Sequence, residues 1–594
     1  MKAISGMDAA FLYAETPTSP MHVGSLAVIE GSLKFEVFRE IIRSRIHLIP
    51  VMRQRLVSLP LSIDHPYWVD DPYFNLNLHI QHIALPRPGG WRELRALVSQ
   101  IFSKPLDMSR PLWSFTFIEG LDTIPQVPAG SVALLAKMHH VTIDGVAGTD
   151  MLNQLFDVTP KPRNVPSPKP YKPKRLPNEL QMALKSTMSF VSKPLKLPRL
   201  FSNTVSATVK AGFLTRVKGL ALPDVPFTAP PTPLNGIISA QRKWNTAILS
   251  LDRIKALKNI CGTTVNDVML AICAGALRRY LLEKGKLPNK PLVAMVPVST
   301  RTEGEKGGNQ ISNMLVQLAT HIEDPIERLE AIYGNTKRGK IYQGALGAKT
   351  LAQMADAVPF GIANQAARVY SRFQLAKRHN PVFNVVISNV PGPQLPLYLG
   401  GHKLIAMMGM APIIDGMGLI ITILSYNGLV TISPTSDVKS MPDIDRFARY
   451  LRESANELEA AVLAMASAET AQKPKSDEAQ ESTEIDTFFR HMQSYLEEHP
   501  DITKEASGLF QLNITGPTAI AWHIDLNASP AQVVRGAANS PDATLIVRQE
   551  HFLRIVQGDL DIPTALIQGR LQAKGNVAQL MQLAEILTQL KQED

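Results

Sequence analysis

Two hydrophobic periods alternate along residues 1–158, and this mixture predicts strands and helices in turn. Apolar runs of four to eight residues predict strands, and apolar residues spaced three and four apart predict helices. The predicted strands are 26–30, 113–119 and 131–138. The predicted helices are 35–48 and 146–156. Residues 1–158 are therefore expected to form one α/β lobe.

The same mixed pattern returns over residues 236–464. The predicted strands are 244–251, 292–297, 382–388 and 418–426. The predicted helices are 253–260, 265–282 and 443–464. A second α/β lobe is therefore expected here.

The segment between the lobes, residues 159–235, differs from both. Seven prolines between Pro160 and Pro177 exclude regular helix there. From Lys161 to Leu220 there are 13 Lys and Arg residues and one acidic residue, so this stretch carries +12 while the whole chain carries +10. Apolar residues fall on one helical face within it. They are Leu180, Leu184, Met188 and Val191. This segment is expected to be a basic, proline-rich interlobe linker.

Two further segments follow the second lobe. Residues 465–483 contain almost no large apolar residue and are expected to form a flexible linker. Residues 484–594 again mix both periods, with an amphipathic helix over 485–496 and a half-buried strand over 520–526. They are expected to form a small α/β domain.

Composition narrows the class of protein. The chain has 594 residues, of which 45% are hydrophobic and two are cysteines, which is typical of a reduced, intracellular globular protein with several domains. No signal peptide is apparent. The longest apolar candidate for a membrane span, 404–424, is interrupted by Pro412 and Asp415, so we expect the chain to touch membranes without crossing them.

The segment His139-His140-Val141-Thr142-Ile143-Asp144-Gly145 carries the clearest candidate chemistry. It follows a predicted strand and precedes a predicted helix. A histidine can take a proton from an alcohol and return it later, while Asp144 can cap the helix and Gly145 allows close backbone approach. A chance pair of histidines before an Asp-Gly turn is the alternative. A metal site is disfavoured, since neighbouring histidines on a strand point to opposite sides.

His-His-x-x-x-Asp-Gly resembles the active-site motif of the chloramphenicol-acetyltransferase-like superfamily. Other segments resemble its wax ester synthase/diacylglycerol acyltransferase branch, in that family's order over about residues 1–464. They are Ser5-Gly6-Met7-Asp8-Ala9, Pro20-Met21-His22-Val23-Gly24, Pro111-Leu112-Trp113, Thr264-Val265-Asn266-Asp267-Val268, Val296-Pro297-Val298-Ser299 and Ser388-Asn389-Val390-Pro391-Gly392-Pro393.

This resemblance implies two α/β lobes with a channel between them and an acyl-CoA-dependent O-acyltransferase. His140 would deprotonate the hydroxyl of diacylglycerol or a fatty alcohol, which would then attack the thioester without an acyl-enzyme. His139 would pack or fix the tautomer, and Asp144 and Gly145 would shape the loop. Asn266 would donate a hydrogen bond to the oxyanion, or alternatively cap its helix.

The same resemblance suggests which other residues border the substrate. They are Pro111, Leu112, Trp113, Asp267, Ser388 and Asn389. Trp113 has the alternative of a core residue, and the role of His22 stays open. Acyl-CoA is expected as co-substrate, with no cofactor and no metal. The sequence contains no Gly-x-Ser-x-Gly motif, so a covalent serine hydrolase is disfavoured.

Residues 484–594 resemble the sterol-carrier-protein fold in segments that include Gly508-Leu509-Phe510-Gln511-Leu512 and Trp522-His523-Ile524-Asp525-Leu526. The resemblance implies a lipid-binding domain that exchanges lipid with the acyltransferase lobes. The alternative is a domain of the same fold that serves dimerisation or solubility and binds nothing.

Localisation and partners follow from the basic linker. Its charge and apolar face favour a peripheral position on an anionic membrane or lipid droplet, on the cytoplasmic side. Attraction of CoA phosphates or simple solvation are alternatives, and nucleic acid is disfavoured because no binding module accompanies the charge. Two other functions remain: a condensation-type enzyme with a carrier-bound donor, and an inactive lipid-binding protein. The acceptor and the oligomeric state stay open.

Overall fold

The computed structural model describes residues 2–58, 65–142, 151–167, 170–174, 228–299, 311–346, 380–472, 475–500, 507–515, 520–557, 565 and 571–575. These residues belong to two units, Met1–Ala464 and Met465–Asp594.

Ten strands and α-helices, besides short 3₁₀ turns, are described before the histidine turn in the first half of unit 1. In chain order they are β1 (Lys2–Ala3), α1 (Gly6–Ala14), β2 (His22–Ile29), α2 (Phe35–Arg45), β3 (Gln54–Val57), β4 (Tyr67–Asp70), β5 (Ile80–Ala84), α3 (Trp91–Ser103), β6 (Trp113–Glu119) and β7 (Val132–His139). The predicted strand 113–119 has the predicted bounds, and the predicted helix 35–48 ends at Arg45 and continues as a 3₁₀ turn, Ile46–Leu48. Residues 151–155 are helical, and 143–150 lie outside the described ranges.

The second half of unit 1 is built from a larger set of elements. They are β8 (Arg242–Trp244), β9 (Ala247–Ser250), α4 (Leu251–Ile260), α5 (Val265–Glu283), β10 (Val293–Ser299), β11 (Ile311–Gln317), α6 (Pro325–Leu346), β12 (Val385–Pro391), β13 (Tyr398–Leu399), β14 (His402–Met410), β15 (Leu419–Tyr426), β16 (Leu429–Asp437) and α7 (Ile444–Gln472). The predicted strand 244–251 is two strands, because the buried polar pair Asn245 and Thr246 interrupts it.

Two main sheets define the two lobes of unit 1. The first has the order β13-β14-β2-β7-β6-β5, and the second has the order β11-β10-β12-β15-β16-β8 with β9 also on β16. A small third sheet has the order β1-β4-β3. In the second lobe α5 is buried along most of its length, which explains its nearly continuous apolar sequence.

One strand of the later chain completes the sheet of the first lobe. β14 pairs antiparallel with β2, with Met410 opposite Gly24. The sequence places residues 236–464 in a lobe of their own, and this assignment is wrong for 398–410. The β14 backbone also meets the second lobe, since Trp244 donates from Nε1 to the Gly409 carbonyl at 3.0 Å. The two lobes therefore share this strand.

The start of the predicted basic linker lies against the first lobe. The Tyr171 hydroxyl donates to the carbonyl oxygens of Arg53 and Asp71 at 3.2 and 3.0 Å, and the Arg53 guanidinium lies over its ring at 4.6 Å. Lys172 and Lys174 are exposed. The predicted apolar helical face from Leu180 to Val191 lies outside the described residues.

The described residues of unit 2 form a helix, a five-stranded sheet and a second, short helix, and Ala565 is helical as well. Its elements are α8 (Lys475–Glu498), β17 (Leu509–Thr515), β18 (Ile520–Asp525), β19 (Gln532–Arg535), β20 (Ala543–Arg548), α9 (Gln549–Val556) and β21 (Leu571–Gly575). The sheet order is β19-β18-β17-β20-β21. The predicted alternation along β18 is confirmed, because Ile520, Trp522 and Ile524 are buried and the residues between them are half-buried.

The predicted flexible segment 465–483 is helical on both sides of residues 473 and 474. α7 continues to Gln472 and α8 begins at Lys475. The physical reason is composition, since Ala, Glu, Gln and Lys are strong helix formers even without an apolar face. The described residues of this segment are therefore helical, and the flexibility of the linker stays a prediction.

Among the described helices, none is both long and apolar enough by itself to cross a membrane. α4 and α5 together meet the length and composition criteria, but they are bent by 101° at the break between them.

Candidate active site

The histidine turn is held by the strands on both sides of it. β7 lies between β2 and β6, and it ends at His139. The His139 amide donates to the Leu112 carbonyl at 2.9 Å, and the His140 amide donates to the Met21 carbonyl at 2.8 Å. Two of the segments singled out in the sequence, those around residues 20–24 and 111–113, thus support this turn through their backbones.

His139 is fully enclosed, with 1% of its surface exposed. Its Nδ1 accepts a hydrogen bond from the Val141 amide at 3.1 Å, so the proton of the neutral ring must sit on Nε2. Nε2 lies 2.9 Å from Oε2 of Glu15 and donates to it. The Thr142 hydroxyl donates to the His139 carbonyl at 2.7 Å. His139 therefore has both ring nitrogens engaged inside the protein.

His140 follows immediately and is half-buried. Its ring is stacked on Phe11, with centroids 3.6 Å apart and planes 10° apart. Its Nδ1 is buried and meets no hydrogen-bond partner in the other described residues. Burial lowers the pKa of His140 to about 4; its own backbone opposes this shift and nearby His139 adds to it. At neutral pH the imidazole is uncharged, which is the form that can accept a proton.

A second group of candidates lies in the other lobe, where α5 begins beside the end of β12. Asn389 donates from Nδ2 to Oδ1 of Asn266 at 3.3 Å. Both side chains are half-buried. The Nδ2 group of Asn266 has no acceptor among the described residues, so it can donate to a substrate. No hydrogen bond joins this asparagine pair to the histidines in the part of the chain that the structure describes.

Asn266 does not cap its helix. The cap of α5 is Thr264, whose hydroxyl accepts from the Asp267 amide at 3.3 Å, and the Asp267 carboxylate accepts from the Thr264 amide at 3.0 Å. The alternative given for Asn266, a helix cap, is therefore wrong. Its side chain instead contacts Asn389 of β12. Ser388, the preceding residue of that strand, is half-buried and pairs with Thr422 of β15.

Asp267 differs from the expectation of a substrate contact. It is 1% exposed, and both of its carboxylate oxygens accept hydrogen bonds within the protein. Oδ2 accepts from the Thr264 amide and hydroxyl, and Oδ1 accepts from the Thr336 hydroxyl at 2.7 Å. Asp267 thus ties α5 to α6 and offers no oxygen to a ligand.

The Pro111-Leu112-Trp113 segment also differs from the expected substrate border. All three residues are buried. Trp113 donates from Nε1 to the Met52 carbonyl at 2.7 Å and stacks on His79 with centroids 4.5 Å apart. Trp113 is a core residue, and the segment acts on the site through the Leu112 carbonyl that holds His139.

His22, whose role the sequence leaves open, lies directly opposite His139 across β2 and β7. It donates from Nε2 to the Phe102 carbonyl at 2.6 Å, and burial lowers its pKa to about 3. Buried Lys137, whose pKa burial lowers to about 8, donates to the carbonyls of Ile101 and Lys104. These donors satisfy the carbonyl end of α3.

Two residues that sequence reasoning missed contact the histidines, namely Phe11 and Glu15. The local signal nearest to them is the Ser5 segment, because the Ser5 hydroxyl accepts from the Asp8 amide at 3.1 Å and caps α1. The predicted Asp144 and Gly145 lie outside the described residues. Within the described ranges, no group of three or more His, Cys, Asp or Glu side chains could hold a metal ion.

Comparisons with known families cover nearly the whole chain. Residues 4–269 match the model described as "Wax ester synthase/diacylglycerol acyltransferase catalytic domain". Residues 307–459 match "WS/DGAT C-terminal domain". Residues 489–588 match "SCP-2 sterol transfer family". The histidine turn and Asn266 fall in the first match, and Asn389 falls in the second.

Relatives and a solved structure agree with these matches. Two proteins of Mycobacterium tuberculosis strain H37Rv, provisionally named diacylglycerol O-acyltransferases, are 35% and 36% identical; they align with 76% and 77% of this chain and with 90% and 100% of their own lengths. The wax ester synthase/diacylglycerol acyltransferase of Marinobacter aquaeolei VT8 is 29% identical, with a TM-score of 0.55, over 78% of this chain and all of that one. This chain therefore belongs to the wax ester synthase/diacylglycerol acyltransferase family, as a two-lobed acyltransferase that carries an SCP-2 family domain.

Proposed function

We propose that this acyltransferase moves a long acyl chain from acyl-CoA to the hydroxyl of diacylglycerol or a long-chain fatty alcohol, with His140 as general base. The observation that carries this proposal is the half-buried imidazole of His140 directly after β7, which burial keeps neutral. The backbone of its turn is held by the residues that precede β2 and β6. The names of the mycobacterial relatives and of the Marinobacter enzyme support the two acceptor classes.

The reaction proposed is a direct transfer. His140 removes the hydroxyl proton while the alcohol oxygen attacks the thioester carbonyl, and the protonated imidazole then returns that proton to the CoA sulfur as the C–S bond breaks. Because Nδ1 is buried, we assign Nε2 as the nitrogen that carries the proton. General base catalysis of this kind contributes roughly 10²–10⁴-fold.

Asn266 is the proposed donor to the oxyanion of the tetrahedral intermediate. Its Oδ1 is occupied by Asn389, which fixes the amide so that Nδ2 points away from that partner. Loss of one such donor costs about 10²–10³-fold in kcat. Asn389 would then act as a positioning residue, and Ser388 would shape the backbone beside it.

We propose peripheral attachment to an anionic membrane or lipid droplet through the basic linker. Support comes from its +12 charge and from Tyr171, which fixes the start of the linker to the first lobe while Lys172 and Lys174 stay exposed. Binding to phosphatidylglycerol vesicles should weaken with salt and with Lys172→Glu and Lys174→Glu. Salt-independent binding would contradict this attachment. The SCP-2 family domain is proposed to bind lipid.

The test of the proposed reaction is thiol release from palmitoyl-CoA with hexadecanol or dioleoylglycerol as acceptor. We expect acceptor-dependent release that disappears in His140→Ala and falls about 10²–10³-fold in Asn266→Ala, with the ester identified by thin-layer chromatography. His82→Ala is the matched control, since His82 is a partly exposed histidine of the same sheet. Full release by His140→Ala contradicts the proposed base. No release by the folded native protein favours a carrier-bound donor or a lipid-binding role.

A further inference from the structure

Helix α1 and the residue that ends it touch both histidines of the turn. Phe11 stacks on His140, and the Glu15 carboxylate accepts a hydrogen bond from Nε2 of His139. The two residues are four apart, so they project from the same face at the end of the helix. Neither has a part in the chemistry proposed above.

The imidazole of His140 interacts with the backbone of its own residue, and no other described residue hydrogen-bonds its buried Nδ1, so packing must also help to orient the ring. A general-base histidine is commonly oriented by a partner on its Nδ1. Here Nδ1 is buried and lacks a partner in the other described residues. The near-parallel ring of Phe11, 3.6 Å away by centroids, limits rotation of the imidazole.

The hydrogen bond between Glu15 and His139 stabilises the backbone turn around His140. Glu15 holds the His139 proton on Nε2, which leaves Nδ1 free to accept from the Val141 amide. That bond closes the turn directly across His140. Loss of the Glu15 acceptor would allow the other tautomer, in which Nδ1–H and the Val141 N–H oppose each other.

We propose that Phe11 and Glu15 are positioning residues for catalysis: α1 sets the orientation of His140 by stacking on its ring and by fixing the tautomer of His139. This inference rests on the proposed role of His140 as base. Misplacement of a catalytic group by about 1 Å can cost about 10²-fold in rate. A small shift of the His140 ring should therefore lower kcat measurably.

The same sheet offers a matched control set of identical residue types. Phe35 stacks on His82 with centroids 4.4 Å apart and planes 14° apart, and His82 lies 2.7 Å from Glu119. Glu119 is at the end of β6 opposite to Trp113, away from the histidine turn. A Phe-His-Glu set that lies away from the histidine turn is therefore available in the same protein.

The experiment measures kcat and the KM for palmitoyl-CoA in full-length variants, with thermal unfolding of each. We expect Glu15→Ala and Phe11→Leu to lower kcat about 10- to 100-fold, with KM changed less than about twofold. Glu15→Gln retains an acceptor oxygen and should stay within about threefold of the native kcat. Phe11→Tyr keeps the ring and should do the same, and Glu119→Ala and Phe35→Leu should keep the native kcat.

Native kcat in Glu15→Ala and Phe11→Leu would overturn the inference. It would also be overturned if the control variants Glu119→Ala and Phe35→Leu lost as much kcat as the α1 variants. If Glu15→Ala does not fold, Phe11→Leu carries the test, because it removes no polar contact. Failure of the proposed base is distinguishable, since it appears as activity in His140→Ala. Loss of activity in His140→Ala with native kcat in both α1 variants refutes only the role of α1.

Discussion

The buried environment of His140 predicts an acyltransferase that stays active in mild acid. Burial lowers the pKa of this imidazole from 6.5 to about 4. The base works only in its neutral form, so activity should be present above the folded-state pKa and lost as the pH falls through it. At pH 5.5 about 97% of such rings are neutral, against about 9% for an unperturbed histidine. The two cases thus differ about tenfold in rate at that pH.

The assay is kcat/KM between pH 5 and pH 8, because this ratio reports the ionisation of the free enzyme. Phosphate monoesters titrate near pH 6, so the donor should be a palmitoyl thioester of N-acetylcysteamine, which has no phosphate. Enzyme held at pH 5 and returned to pH 8 must recover its rate, which excludes irreversible inactivation, and its circular dichroism at pH 5 must match that at pH 8, which excludes unfolding. An acid limb centred near pH 6.5 would refute the link between burial and the neutral base.

Three substitutions test the structural assignments. Asp267→Ala removes the carboxylate that bonds the Thr264 cap of α5 and ties α5 to α6. The free energy of unfolding in urea should therefore fall by about 3 kcal/mol, against under about 0.5 kcal/mol for Asp252→Ala at an exposed side chain. The Arg45 guanidinium donates to the Asp157 carboxylate at 2.7 Å, and both side chains are 3% exposed. Arg45→Met leaves this carboxylate without its main partner and should lower the free energy of unfolding by about 3–5 kcal/mol, most of which the added substitution Asp157→Leu should restore. Equal losses in the single and the double variant would contradict this. Trp113→Phe removes one buried hydrogen bond, so the free energy of unfolding should fall by about 1–3 kcal/mol while the KM for acyl-CoA stays unchanged. A higher KM at native stability would instead show that Trp113 contacts the substrate.

The histidine pair could be found in the sequence because its signal is local. His139 and His140 follow a recognisable strand, and their motif spans seven consecutive residues. Asp267 carried a local signal too, since Thr264 and Asp267 have the Thr-x-x-Asp spacing of a capping box. The prediction that Asp267 contacts substrate was wrong, because a motif shared by a family does not distinguish a residue that contacts the ligand from one that stabilises the surrounding fold.

The contacts that position the site are non-local, and the sequence did not predict them. Glu15 and His139 are 124 residues apart, and no periodicity relates them. The same holds for β14, whose pairing with β2 joins residues 375 to 386 positions apart. Its apolar run fits a buried strand in either lobe, so hydrophobic pattern alone could not select the sheet.

The SCP-2 family domain should matter for lipid presented at a surface and be dispensable for transfer itself. Both family matches of the acyltransferase part end by residue 459, before the SCP-2 family match begins at residue 489. The structure places the cut for a deletion: α7 buries Leu458 and Val462 and continues to Gln472. Ending the chain after Gln472 therefore preserves the helix and its core contacts.

With decanol and palmitoyl-CoA in solution, we expect the truncated enzyme to keep its kcat/KM within about twofold. With dioleoylglycerol in vesicles, its rate should fall about tenfold, because the tethered domain no longer raises the local concentration of lipid near the active site. Adding the separate domain, residues 473–594, should not restore the rate, since delivery depends on the tether. Equal rates on vesicles would show that the domain does not supply the acceptor, and a loss with decanol would show that it supports the acyltransferase fold instead.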